Sequence, residues 1–117
     1  MRARVNVLLA AYNGEKYIRQ QIESILNQTH KPYKILFNID QSSDKTESIV
    51  KEFAKTNPEI QISNSDKRFG SAAANFIHLL KNIDLTEAEY IALADQDDLW
   101  KEDKIEKAIQ KLQQGYD

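Results

Sequence analysis

The acid-rich segment Asp95-Gln96-Asp97-Asp98-Leu99-Trp100 follows directly on the apolar run Tyr90-Ile91-Ala92-Leu93-Ala94. If extended geometry persists into it, Asp95 and Asp97 project to one side about 7 Å apart, at roughly 3.3 Å per residue, and Asp98 to the other. Two carboxylates so placed can hold a hard divalent cation, Mn2+ or Mg2+, with coordination positions left for phosphate oxygens and water. The same acids can instead solvate a loop and favour the positive N-terminus of a following helix, and spacing alone does not separate the two readings. Asp40 is followed by Gln41-Ser42-Ser43-Asp44. Its carboxylate can accept a hydrogen bond from a nucleobase N–H, or close an Asx-turn with no ligand at all. Asp66-Lys67-Arg68-Phe69-Gly70 sets two cations and a glycine ahead of a helical pattern, which suits a phosphate and equally a solvated surface. His30 lies in a polar turn and His78 within a helical pattern, neither with the neighbours of a metal ligand or a triad base, so both are read as structural. Trp100 is read as a packing anchor.

These residues need a frame, and the composition allows one compact domain: 117 residues, 41% hydrophobic and 29% charged. Sixteen basic against eighteen acidic residues, spread along the chain, argue against nucleic-acid binding. With no cysteine there can be no disulfide and no thiolate metal site, so any metal takes oxygen or imidazole ligands. The apolar stretch near the start, Val5 to Ala11, is too short for a spanning helix, so no membrane segment is expected and a cytoplasmic location is the default.

Apolar runs at Val5 to Ala10, Lys34 to Ile39, Ile60 to Ser63 and Tyr90 to Ala94 predict four short strands. Helical spacing predicts a helix near Glu15 to Asn27, with Asn13 as a candidate N-cap. A second helix carries Ile49, Val50 and Phe53 behind a capping-box-like Asp44 and Glu47, and a third carries Ala73, Phe76, Ile77, Leu80 and Ile83. The last places Ile105, Ala108, Ile109 and Leu112 on one face. This alternation predicts an α/β, Rossmann-like, mainly parallel sheet flanked by helices on both faces. In such a sheet ligands bind beyond the carboxyl ends of the strands, where Ala10 to Asn13, Asp40 to Asp44, Asn64 to Gly70 and Asp95 to Asp98 fall.

Three ordered stretches, Val5-Asn6-Val7-Leu8-Leu9-Ala10-Ala11-Tyr12-Asn13-Gly14, Ile22-Glu23-Ser24-Ile25-Leu26-Asn27-Gln28-Thr29 and Asp95-Gln96-Asp97-Asp98-Leu99-Trp100, resemble family 2 glycosyltransferases, with a flavour of the bacterial rhamnosyltransferase-like group that builds surface polysaccharide. The resemblance runs through nearly the whole chain and implies the nucleotide-sugar-binding half of a GT-A fold. It implies that Ala10 and Tyr12 line the nucleotide pocket, that Asp40 contacts the base, that Asp95 lies near the ribose and the metal, and that Asp97 ligates the cation bridging the donor diphosphate. Arg68 becomes a candidate phosphate contact, standing in Arg68-Phe69-Gly70 where the family often has Asn-x-Gly. The second strand departs from the family's usual Asp-Asp-Gly-Ser ending, reading Ile39-Asp40-Gln41-Ser42.

The implied donor is a UDP- or dTDP-sugar, the cofactor Mn2+ or Mg2+, and the acceptor a hydroxyl of a glycan or lipid-linked glycan, with inversion at the anomeric carbon. In the full-length protein the implied setting is the inner face of the cell membrane. The resemblance also implies that Met1 to Asp117 is the donor-binding part, inactive alone, and that the acceptor-binding part and the catalytic base lie beyond Asp117. Two other readings keep an α/β fold: a catalytically inactive nucleotide-binding module or scaffold, and a receiver-like Mg2+ domain. The receiver-like reading needs acids after the first strand, where Ala10 and Ala11 stand.

Overall fold

The computed structural model describes residues 3–11, 15–39, 45–64, 88–95 and 99–115, and of residues 63, 64 and 95 the backbone alone. The elements are β1 (Val5–Ala11), α1 (Glu15–Leu26), β2 (Lys34–Ile39), α2 (Thr46–Thr56), β3 (Ile60–Asn64), β4 (Tyr90–Asp95) and α3 (Lys104–Gln113). All strand pairs are parallel, in the order β3-β2-β1-β4. The third expected helix, with Ala73 to Ile83, lies outside the described residues, as do Asn13 and Asp44.

β1 is central because all but one of its residues are apolar, the exception being Asn6. Its seven residues, Val5 to Ala11, are all buried, as a parallel strand covered on both faces requires. One row, Val5, Val7, Leu9 and Ala11, joins Ile35, Phe37 and Ile39 of β2 and Ala94 of β4 in the main core. Onto this row pack Ile18, Ile22 and Ile25 of α1, Ile49 and Val50 of α2, and Ile105 and Ile109 of α3. The α1 set follows the three- and four-residue spacing of one helical face. Each fully buried aliphatic side chain contributes about 1.5–3 kcal/mol. The opposite row, Asn6, Leu8 and Ala10 with Leu36 and Asn38, is buried as well, so both faces of the sheet are covered. On β4 that cover thins: Ile91 and Leu93 are 39% and 52% exposed.

Lys45 precedes the first residue of α2 and makes no side-chain cap bond, and Asp44 of the expected capping-box pair lies outside the described residues. On α3 Ile105, Ala108, Ile109 and Leu112 share one face, as expected, and line one groove, with Ile105 and Ile109 buried and Ala108 and Leu112 exposed. α3 ends at Gly115, whose φ of 93° is left-handed and whose N–H bonds to the Leu112 carbonyl at 3.1 Å.

Candidate functional site

The strand order locates the site before any side chain is considered. β2 and β3 are added on one side of β1, and the chain then returns to lay β4 on the other. The direction of strand addition therefore reverses between β1 and β4, and beyond the carboxyl ends of such a pair an open α/β sheet leaves a crevice for a ligand. Ala10 of β1 pairs in register with Asp95 of β4 and with Asn38 of β2, which pairs in turn with Ser63 of β3. These four residues form one rung spanning about 14 Å, at about 4.8 Å per strand spacing. Ala10, 6% exposed, stands between Asn38 and Asp95 and contributes only a methyl group there.

Polar residues are built into this rung and into the strands behind it. Asn38 interrupts the run Ile35-Leu36-Phe37 and is fully buried. Asn6 is buried in the same row of the sheet, and among the described residues its Oδ1 has no hydrogen-bond partner. A buried acceptor left unpaired costs about 1–3 kcal/mol, which an apolar residue at position 6 would avoid.

The segment that leaves Asp95 is anchored where it reaches α3. Trp100 is 6% exposed and packs in the core, with the Lys104 ammonium 4.5 Å from its ring centre. Its backbone N–H donates to Ser24 Oγ at 3.2 Å. Gln28, fully buried just past the end of α1, donates from Nε2 to the Ser24 carbonyl at 3.0 Å and to the Lys101 carbonyl at 2.7 Å. Its Oε1 accepts from the Ile105 N–H at 3.0 Å. Asp103 stands at the N-cap of α3 without a side-chain cap bond, so Gln28 satisfies a first-turn donor that a cap residue ordinarily takes. The Thr29 N–H adds a bond to the Glu102 carbonyl at 2.7 Å. His30 is structural, as expected, donating from Nε2 to the Ala3 carbonyl at 2.7 Å.

Of the expected site residues, the fold brings Ala10 and Asp95 onto one rung. Tyr12 follows β1, Asp40 follows β2, and Asp97 stands two residues past β4; these three and Arg68 lie outside the described residues. Asp117, beyond which the catalytic base is expected, lies outside them too, two residues past Gly115. Asn38, Ser24 and Gln28 carry no role in the sequence reading. Asn38 leaves a legible signal as a lone amide in an apolar strand, whereas Ser24 and Gln28 act on partners 73 to 77 positions away.

Among the described residues no group of three or more His, Asp or Glu gathers as a metal cage. Asp95 ends β4 at the switch point, and Asp97, two residues on, lies outside the described residues. Among the described residues no helix is long and apolar enough to cross a membrane.

Comparison with known proteins adds a family to this geometry. The family model described as Glycosyl transferase family 2 matches residues 6–117. The chain is 42% identical over 105 residues to the dTDP-rhamnosyl transferase RfbG of Shigella flexneri, covering 89% of this chain and 36% of that protein. It is 30% identical over 106 residues to the putative teichuronic acid biosynthesis glycosyltransferase TuaG of Bacillus subtilis, covering 91% and 40%. Among solved structures, the mannosyltransferase PcManGT of Pyrobaculum calidifontis, in complex with GDP-Man and Mn2+, superposes with a TM-score of 0.78 at 26% identity, over 96% of this chain and 33% of that one. S. aureus TarS 1-349 in complex with UDP shares the fold at a TM-score of 0.77 and 23% identity, over 95% and 32%. The chain thus spans roughly a third to two fifths of the proteins it resembles.

Proposed function

The chain belongs to glycosyl transferase family 2, and on that premise we propose that it is the donor-binding part of a longer enzyme that moves a sugar from dTDP or UDP to a glycan hydroxyl in cell-surface polysaccharide synthesis. The observation that carries the reading is the rung joining Ala10 and Asp95 at the β1–β4 switch point. Ala10 keeps the crevice floor low, so a flat nucleoside can approach the strand ends. Tyr12 and Asp40, each directly after its strand, flank the base, and the Asp40 carboxylate accepts its N–H. Arg68 pairs with a phosphate oxygen. A pyrimidine donor is favoured because RfbG, at 42% identity, is named a dTDP-rhamnosyl transferase. TarS was solved with UDP.

Asp95 and Asp97 supply the oxygen donors for Mn2+ or Mg2+, the cation present with GDP-Man in the PcManGT structure being Mn2+. When bound, such an ion neutralises charge developing on the departing diphosphate. Ser24 and Gln28 fix Trp100 and Lys101, the residues through which the chain enters α3. The base that deprotonates the acceptor hydroxyl, and the acceptor surface, belong to polypeptide beyond Asp117 in this reading.

Calorimetric titration of dTDP, UDP and GDP into the purified chain, in Mn2+ and in EDTA, tests the proposal. dTDP or UDP should bind more tightly than GDP, and chelation should weaken binding. Absence of heat or of a melting shift with any of the three at about millimolar concentration would remove the donor-site reading.

A further inference from the structure

Along one side of α3 and its approach, Lys101, Lys104, Lys107 and Lys111 are all exposed. The last three recur at three- and four-residue spacing, which sets them on one helical face about 10 Å long. They border an open surface depression of about 460 Å3, whose lining also includes Leu99 and Ala108. The one carboxylate in that lining, Asp103, pairs with Lys107 at 3.2 Å, and Glu106 is turned to Thr29 Oγ1 at 2.9 Å. Three of the four lysines therefore stand without a carboxylate beside them among the described residues, on a chain whose net charge is −2.

Large apolar side chains mark both ends of this row. Leu99 is 61% exposed and Leu112 is 40% exposed. Next to the row runs an apolar groove of about 90 Å3 between β4 and α3, sharing Lys104 and Ala108 with the basic depression and bordered by Ile91 and Leu112. The lysines alone would suit a solvated helix face, and the exposed leucines add apolar surface at both ends of them.

We propose that this lysine row and its leucine ends dock on an anionic lipid surface. Four cations within about one Debye length act together on a plane of phosphate headgroups. The leucines enter the acyl boundary while the lysine stems lie along it. An acidic polypeptide would meet the same charge, but it gives Leu99 and Leu112 no apolar medium to enter. The proposal is independent of the donor site, since it invokes neither nucleotide nor metal. It places the chain where a lipid-linked acceptor is found.

Co-sedimentation tests it with vesicles of phosphatidylcholine alone and of phosphatidylcholine mixed equally with phosphatidylglycerol, without nucleotide. The chain should bind the mixed vesicles, not the neutral ones, and release as salt rises. Lys104→Glu/Lys111→Glu should weaken binding at least about tenfold, Leu99→Asn/Leu112→Asn should weaken what survives at higher salt, and Lys55→Glu on α2 should bind like the parent. Because Lys104 touches Trp100, Lys107→Gln/Lys111→Gln serves as a second variant that leaves that contact intact, and circular dichroism checks the fold of each. Equal binding to both vesicle types, or binding indifferent to both lysine variants, overturns the proposal. So does lysine-dependent capture of polyglutamate by a chain that ignores the anionic vesicles.

Discussion

Replacing Gln28 with leucine keeps the side-chain size and removes all three hydrogen bonds of the Gln28 side chain. The Ile105 N–H then loses its 3.0 Å acceptor, and the Lys101 carbonyl and the Ser24 carbonyl in the last turn of α1 lose donors at 2.7 and 3.0 Å. Gln28 is fully buried, so water cannot simply take its place. Each buried group left unpaired costs about 1–3 kcal/mol, and gains from the added apolar character offset part of that. The expected loss is about 2–4 kcal/mol, a large share of the roughly 5–15 kcal/mol typical of a domain. Urea unfolding of parent and variant, followed by far-UV circular dichroism, measures it, with Gln113→Leu on the exposed end of α3 as a control expected within about 0.5 kcal/mol of the parent. A Gln28→Leu variant as stable as the control would mean that Gln28 does not hold the start of α3.

Three shorter predictions bear on the site. Asp97→Asn should sharply reduce metal-dependent nucleotide binding and leave the metal-free melting temperature nearly unchanged, whereas Asp98→Asn should cost about 0.3–1 kcal/mol of stability and keep the metal effect; calorimetry with and without Mn2+ reads both. Saturating dTDP or UDP at about 100 times its dissociation constant should add roughly 2.7 kcal/mol to the unfolding free energy, measured by thermal melting. Purified Met1 to Asp117 should transfer no sugar from a radiolabelled donor to any glycan acceptor, and reproducible turnover would place the base within the chain rather than beyond Asp117.

The fold was legible where apolar runs and turns agree. Lys34 to Ile39 matches β2 at both ends, and β1, β3 and β4 each extend one residue beyond the expected run, because a parallel strand continues while its ladder finds partners. Strand order was not legible, since it depends on which edge of β1 receives β4. Knowing that order turns Ala10 and Asp95, 85 positions apart, from two separate candidates into neighbours. The helix carrying Ile49, Val50 and Phe53 was legible from spacing and is α2, Thr46–Thr56. Gln28 was not legible: an amide after a helix looks like an ordinary solvated residue until Lys101 and Ile105 are seen to close on it. The exposure of Ala108 and Leu112 lies beyond periodicity as well, which tells that a helix has an apolar face but not how much of it the sheet covers.

The most direct measurement is the amide NMR spectrum of the labelled chain, recorded with dTDP and a trace of Mn2+, whose paramagnetism broadens nearby signals first. A nucleotide and cation at the β1–β4 switch point should broaden Ala10, Ala11 and Asp95 early. Val5 and Tyr90, paired at the other end of the same strands and about 17 Å away at roughly 3.3 Å per residue, should stay sharp. Broadening centred instead on Glu89, Glu102 or Glu59, or spread evenly over the exposed acids, would contradict a donor site at the carboxyl ends of β1 and β4.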